Sequence, residues 1–141
     1  MARRSRVLVV EDDETLRETI GDLIADDGHE VRVAVDGVDA LAQSDGWLPD
    51  LVILDVMLPR MDAFEFRERQ LAAGGPPAKV LLVSAAPELA AAAERLRADA
   101  WLPKPFSVDA MIAAVNELLG RGGVPPGGTQ PMNGAMGPSA I

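Results

Sequence analysis

Three short apolar runs, Val7–Val10, Leu51–Leu54 and Val80–Val83, constrain the fold more than any other feature of this chain. Each is continuous rather than alternating, each contains β-branched residues, and each runs directly into a polar side chain: Glu11, Asp55 or Ser84. A half-exposed strand alternates apolar and polar residues, whereas a continuous run suits a strand covered on both faces, as in a parallel sheet between helices. A weaker alternating run, Glu30–Val35, reads as an edge strand, and Ala100–Leu102 as a short last one.

The intervening segments carry helical periodicity. Leu16, Ile20, Leu23 and Ile24 share one face of a first helix, with Asp13 placed to cap it and Gly28 to end it. Val38, Leu41 and Ala42 begin a second helix that ends before Pro49, and Phe64, Phe66 and Leu71 mark a third, capped by Asp62 and closed by Gly74 and Gly75. An alanine-rich fourth is expected over Glu88–Ala98, with Pro87 in its first turn. Met111, Ile112, Val115, Leu118 and Leu119 form the apolar face of a fifth, between Ser107 as N-cap and Gly120. Five strands alternating with five helices imply right-handed crossovers and an open α/β, doubly wound parallel sheet with helices on both faces.

Composition narrows the partners. The formal net charge is −9, and the first 70 residues hold 17 acids against 8 bases, while the rest is neutral. Such a chain lacks the broad basic surface that phosphate contacts require, so direct DNA binding is not expected. No apolar run approaches the roughly 18 residues of a membrane span, and Arg3, Arg4 and Arg6 precede too short an apolar stretch for a signal peptide. Cysteine is absent, which excludes disulfides and a thiolate nucleophile. A cytoplasmic location is the resulting expectation. Residues 122–141 hold six Gly, four Pro and no charge, and read as a flexible tail behind a domain of residues 5–121.

In an open α/β sheet, ligands bind beyond the carboxyl ends of the strands. Glu11, Asp12 and Asp13 follow the first strand, Asp55 the third, Ser84 the fourth, and Lys104, between Pro103 and Pro105, the fifth. Clustered carboxylates repel and resist ionisation unless a cation compensates. A hard divalent ion such as Mg²⁺, with oxygen ligands and room for a phosphate, answers that requirement. Lysine adds a point charge that can follow a phosphoryl oxygen. His29, beside a glycine at a helix end, reads as a surface residue, and Trp47 as packing against a loop.

The segments VLVVEDD (Val7–Asp13), PDLVILDVMLPRMD (Pro49–Asp62) and WLPKPF (Trp101–Phe106) together resemble the receiver domain of two-component response regulators. The resemblance covers about residues 5–120 and implies a flavodoxin-like sheet of order 2-1-3-4-5. It implies that Asp55 is the phosphoacceptor, receiving a phosphoryl group from a sensor histidine kinase or a phosphotransfer protein. By the same resemblance Glu11, Asp12, Asp55 and the backbone carbonyl of Met57 hold Mg²⁺. Ser84 contacts the phosphoryl group, Lys104 pairs with Asp55 or its phosphate through a loop with a cis Lys104–Pro105 bond, and Trp101 occupies the switch position. Such a protein is not a classical enzyme; it assists its own phosphotransfer and changes affinity for an output protein, or forms a homodimer on phosphorylation. No output domain is expected in the short tail.

Two other functions compete. A Mg²⁺-dependent phosphatase with an aspartyl nucleophile needs a second acid two residues later, where Met57 stands. A phosphorylation-independent interaction module on the same fold would have no use for the full acidic set. Departures from the family are Arg60 and Ala63 where glycine is common, Arg97 in place of a frequent glycine, and a Ser84–Lys104 segment about two residues short. That shortening falls in the fourth helix or the loop before it.

Overall fold

The computed structural model describes residues 4–56, 63–72, 78–85 and 89–120. The elements alternate strictly: β1 (Arg6–Val10), α1 (Glu14–Asp26), β2 (Glu30–Ala34), α2 (Gly37–Ser44), β3 (Leu51–Asp55), α3 (Ala63–Ala72), β4 (Lys79–Ser84), α4 (Leu89–Leu96), β5 (Ala100–Pro103) and α5 (Val108–Leu118). All strand pairs are parallel, and the order across the sheet is β2-β1-β3-β4-β5. The three continuous runs are the three central strands, and their side chains are essentially inaccessible.

Successive residues of a strand point to opposite faces, and here both faces are covered. Val7, Val9, Leu51, Ile53, Leu81 and Val83 pack under α1 and α5, against residues that include Ile20, Ile24, Met111 and Val115. Leu8, Val10, Val52, Leu54, Val80 and Leu82 pack under α2, α3 and α4, against Ala40, Phe66, Ala93 and Leu96 among others. Asp13 and Ser107 cap α1 and α5, accepting from Leu16 N at 2.9 Å and Ala110 N at 3.0 Å. Asp36 caps α2 in the same way, through Asp39 N at 2.8 Å.

Two local expectations, for His29 and for the end of α4, need correction, and the packing expected of Trp47 gains polar partners. His29 is buried, not on the surface, with Nε2 3.6 Å from Asp27 Oδ2. Gly28 adopts φ 99°, and this left-handed residue reverses the chain so that the next side chain turns inward while His29 N–H still donates to Ile24 O. Trp47 is buried against charged groups as well as apolar ones. Its Nε1 donates to Glu30 Oε2 at 3.0 Å, and the Arg32 guanidinium lies 4.7 Å from the ring centroid. Finally, α4 ends at Leu96 rather than Ala98, because Arg97, standing where glycine is frequent, takes φ 56°. Asp62, Gly74, Gly75, Pro87 and the tail 122–141 lie outside the described residues. Among the described residues no helix is long and apolar enough to cross a membrane.

Candidate functional site

The parallel sheet brings the carboxyl ends of β1, β3, β4 and β5 to one edge, and the polar residues that end the apolar runs meet there. Glu11 continues the β1 ladder by one residue, its N–H donating to Ala34 O at 3.1 Å, so its side chain is carried into the interior and the residue is 1% exposed. Asp55 is the last residue of β3, opposite Val83, and is 5% exposed. Ser84, the last residue of β4, is buried opposite Pro103. Lys104 follows β5 directly; its N–H donates to Ser84 O at 3.0 Å, and the Lys104–Pro105 bond is cis.

The Lys104 ammonium bridges two carboxylates. Nζ lies 2.8 Å from Glu11 Oε1 and 2.9 Å from Asp55 Oδ2. The repulsion anticipated among the acids is therefore offset, for Glu11 and Asp55, by an internal cation. Asp12 completes the cluster from the exposed β1–α1 turn, and carboxylate oxygens of Glu11, Asp12 and Asp55 lie within 4.8 Å of one another. Burial raises the Glu11 carboxyl above its ordinary 4.5, and the neighbouring Asp55 charge adds to this; Lys104 and the Asp13 N–H, 3.2 Å from Oε2, oppose it. For Lys104, burial pulls the ammonium down, but the hydrogen bonds and charges of Glu11 and Asp55 outweigh it and the net shift is upward.

Arg17 was not marked by the sequence as a site residue. From the first turns of α1 its Nη1 donates to the carbonyls of Glu11 at 3.0 Å and Asp12 at 3.4 Å, holding the acidic turn by its backbone. The only signal was a cation one helical turn beyond the acidic run. Trp101 is not among the residues of this cluster. It is half-buried on β5, opposite Leu82, and borders a cavity of about 390 Å³ with Ala90, Ala93, Glu94 and Ala98. Met57, with its carbonyl, and Ala86 lie outside the described residues.

All the donors in the cluster are oxygens, two carboxylates are buried and one is open to solvent, and the oxygens converge within the span of one ion. That set fits a hard divalent cation rather than a soft metal. It lies at the strand ends where β1 and β3 diverge to helices on opposite faces, the switch point of an open α/β sheet.

Comparison with known proteins agrees with this fold. Residues 7–116 match the response regulator receiver domain family. The response regulator MprA of Mycobacterium sp. (strain KMS) is 38% identical over 118 residues, covering 82% of this chain and 51% of that protein. The MprA of Mycobacterium bovis (strain BCG / Pasteur 1173P2) is 37% identical over the same shares. The chain thus spans about half the length of the curated relatives it matches. Among solved structures, chemotaxis response regulator CheY4 of Vibrio cholerae superimposes with a TM-score of 0.74 at 28% identity, over 82% of this chain and 99% of that one. The Francisella response regulator 1452 receiver domain gives 0.71 at 29%, over 82% and 96%. With the family matched over most of the chain, and with its fold and acidic strand-end cluster in place, the protein belongs to the response regulator receiver domain family.

Proposed function

We propose that the domain, residues 5–121, is a phosphorylation-activated switch in which Asp55 accepts a phosphoryl group from a histidine kinase or a phosphotransfer protein. An Asp55 carboxylate oxygen attacks phosphorus in line. The bond from phosphorus to the donor nitrogen breaks, and its electron pair leaves with the imidazole. Phosphoryl transfer needs alignment and charge neutralisation more than covalent help, and the residues at this edge are suited to both. Lys104, already 2.9 Å from Asp55, can follow the arriving phosphoryl oxygens. Ser84, at the end of the adjacent strand, offers a hydroxyl. Glu11, Asp12 and Asp55, with the carbonyl of Met57, would hold Mg²⁺, which neutralises phosphoryl charge when bound.

The observation that carries this reading is the Lys104 ammonium held between buried Glu11 and Asp55, with Asp12 beside them. On this reading, phosphoryl charge draws Ser84 and its loop toward Asp55 and shifts the population between two states of the α4–β5–α5 surface, including the switch position Trp101. An output protein, or a second copy of the chain, responds only if it binds one state better.

Acetyl phosphate with Mg²⁺ tests the assignment by intact mass. The wild type is expected to gain one phosphoryl group and Asp55→Ala none. A persistent gain in Asp55→Ala overturns the choice of acceptor, and no gain in the wild type, whether from acetyl phosphate or from a phosphorylated histidine protein, favours the phosphorylation-independent module.

A further inference from the structure

Arg67 lies on α3 and is only 7% exposed, although arginine keeps its charge at any ordinary pH. Its guanidinium is satisfied mainly by backbone oxygens. Nε donates to Leu96 O at 3.1 Å, Nη2 to Arg97 O at 3.3 Å and Nη1 to Ala78 O at 3.2 Å, with Gln70 Oε1 also 3.1 Å from Nη1. Leu96 is the last residue of α4 and Arg97 the left-handed residue that ends it. A helix leaves its last carbonyls without intrahelical donors and carries partial negative charge there. Arg67 supplies both the donors and the opposing charge from another helix.

The same end of α4 is tied to β4 as well. Asp99 N–H donates to Val80 O at 2.8 Å, and the Asp99 carboxylate accepts from Val80 N, also at 2.8 Å. Ala78, the third carbonyl held by Arg67, immediately precedes β4. The opposite end of α4, at Leu89, is the end joined to Ser84 by residues 85–88. The groove beside Trp101 spans both ends, with Ala90 near the start of α4 and Ala98 beyond its finish.

We propose that Arg67 is a positioning residue that pins the C-terminal end of α4, so that changes at Ser84 tilt the helix about that end. This rests on the reading of Asp55 as phosphoacceptor. The Ala98 wall of the groove stays fixed while the Ala90 wall moves, and the groove changes width at one end only. A guanidinium is suited to this task because its planar fork engages several carbonyls at once, which an ammonium cannot do in the same geometry.

Hydrogen exchange of the full chain, followed by mass spectrometry, tests the pin in wild type, Arg67→Lys and Arg67→Met. Without any phosphoryl donor, the amides of Arg97, Ala98 and Asp99 are expected to exchange about tenfold faster or more in Arg67→Met, with Arg67→Lys between, while β1 and β3 stay protected. With Mg²⁺ and beryllofluoride, a stable phosphoryl analogue, changes in the wild type are expected to stop at Ala93. In the variants they are expected to reach residues 97–99, a redistribution that a merely structural residue would not produce. Equal protection of 97–99 in all three proteins overturns the proposal, as does a wild-type response that already reaches 97–99 or leaves both ends of α4 unchanged. If Arg67→Met fails to fold, Arg67→Lys decides. Failure of Asp55 to gain phosphoryl mass would refute the phosphoacceptor reading and leave the donor-free comparison intact.

Discussion

Replacing Lys104 with methionine removes an ammonium bonded to both Glu11 and Asp55 and keeps much of the apolar stem. Lys104 makes two charged hydrogen bonds, at 2.8 and 2.9 Å, and each such bond contributes roughly 1.5–3 kcal/mol. Its loss leaves two carboxylates, their side chains 2% and 7% exposed, facing each other. Deleting one partner of a buried ion pair destabilises by about 3–5 kcal/mol. The Lys104 side chain is 20% exposed and water screens part of the interaction, so the lower figure, about 3 kcal/mol, is expected for the metal-free protein near neutral pH. At about 4 °C per kcal/mol for a domain of this size, the thermal midpoint falls by about 12 °C.

Acidification supplies an independent check. The Glu11 carboxyl is already raised in the folded protein, burial being the main cause. The native state therefore holds that proton more tightly than the unfolded chain does. Ionised Glu11 destabilises above its folded pKa, and the effect fades as pH falls toward 4.5. Without Lys104 the upward shift grows, so the deficit of Lys104→Met against wild type should narrow between neutrality and about pH 5. On the alkaline side Lys104, itself raised above 10.5, stabilises the wild type below 10.5, and that advantage is lost as pH rises through its folded value. Urea and thermal unfolding in the presence of a chelator measure all three regimes. A loss under about 1 kcal/mol, or a deficit that stays constant on acidification, would refute a compensating role for Lys104.

Asp12 is exposed, with carboxylate oxygens within 4.8 Å of those of Glu11 and Asp55, which corresponds to about 0.9 kcal/mol of repulsion per pair in a water-like dielectric. Asp12→Asn is accordingly expected to stabilise the metal-free fold by up to about 1 kcal/mol while losing most of the stabilisation by added Mg²⁺; equal Mg²⁺ shifts in variant and wild type would exclude a shared site. Asp55→Asn is expected to differ from Asp12→Asn, because Asp55 is bonded to Lys104 and its charge is compensated. The acyl phosphate should be long-lived, since Met57 and Ala86, two positions after Asp55 and Ser84, cannot orient an attacking water through strong hydrogen bonds. Decay after donor removal, compared with a Met57→Asn, Ala86→Gln double variant, checks this, and equal decay rates would rule out water positioning at these two sites as the limit.

Much of this protein was legible in its sequence because the determinants are local. Continuous apolar runs such as Leu51–Leu54 must be buried on both faces, and only a covered parallel sheet offers that to three strands in alternation with helices. Asp13 and Ser107 cap the helices they precede, because a cap acts on backbone groups three residues away. The convergence of Glu11, Asp12, Asp55, Ser84 and Lys104 on one edge followed from parallel topology once each stood at a strand end. The Lys104–Asp55 pair was implied by the family resemblance, but the tertiary structure alone added Glu11 to it. Lys104 bridges Glu11 as well as Asp55, contacts spanning 93 and 49 residues. Arg67 is drawn into the interior by carbonyls near the end of α4, His29 is turned inward by the glycine before it, and Trp47 is covered by arginines from β1 and β2. By residue type alone Lys104 and Arg67 would be exposed. Whether burial is tolerated depends on partners distant in sequence, and those partners exist only after the sheet has formed.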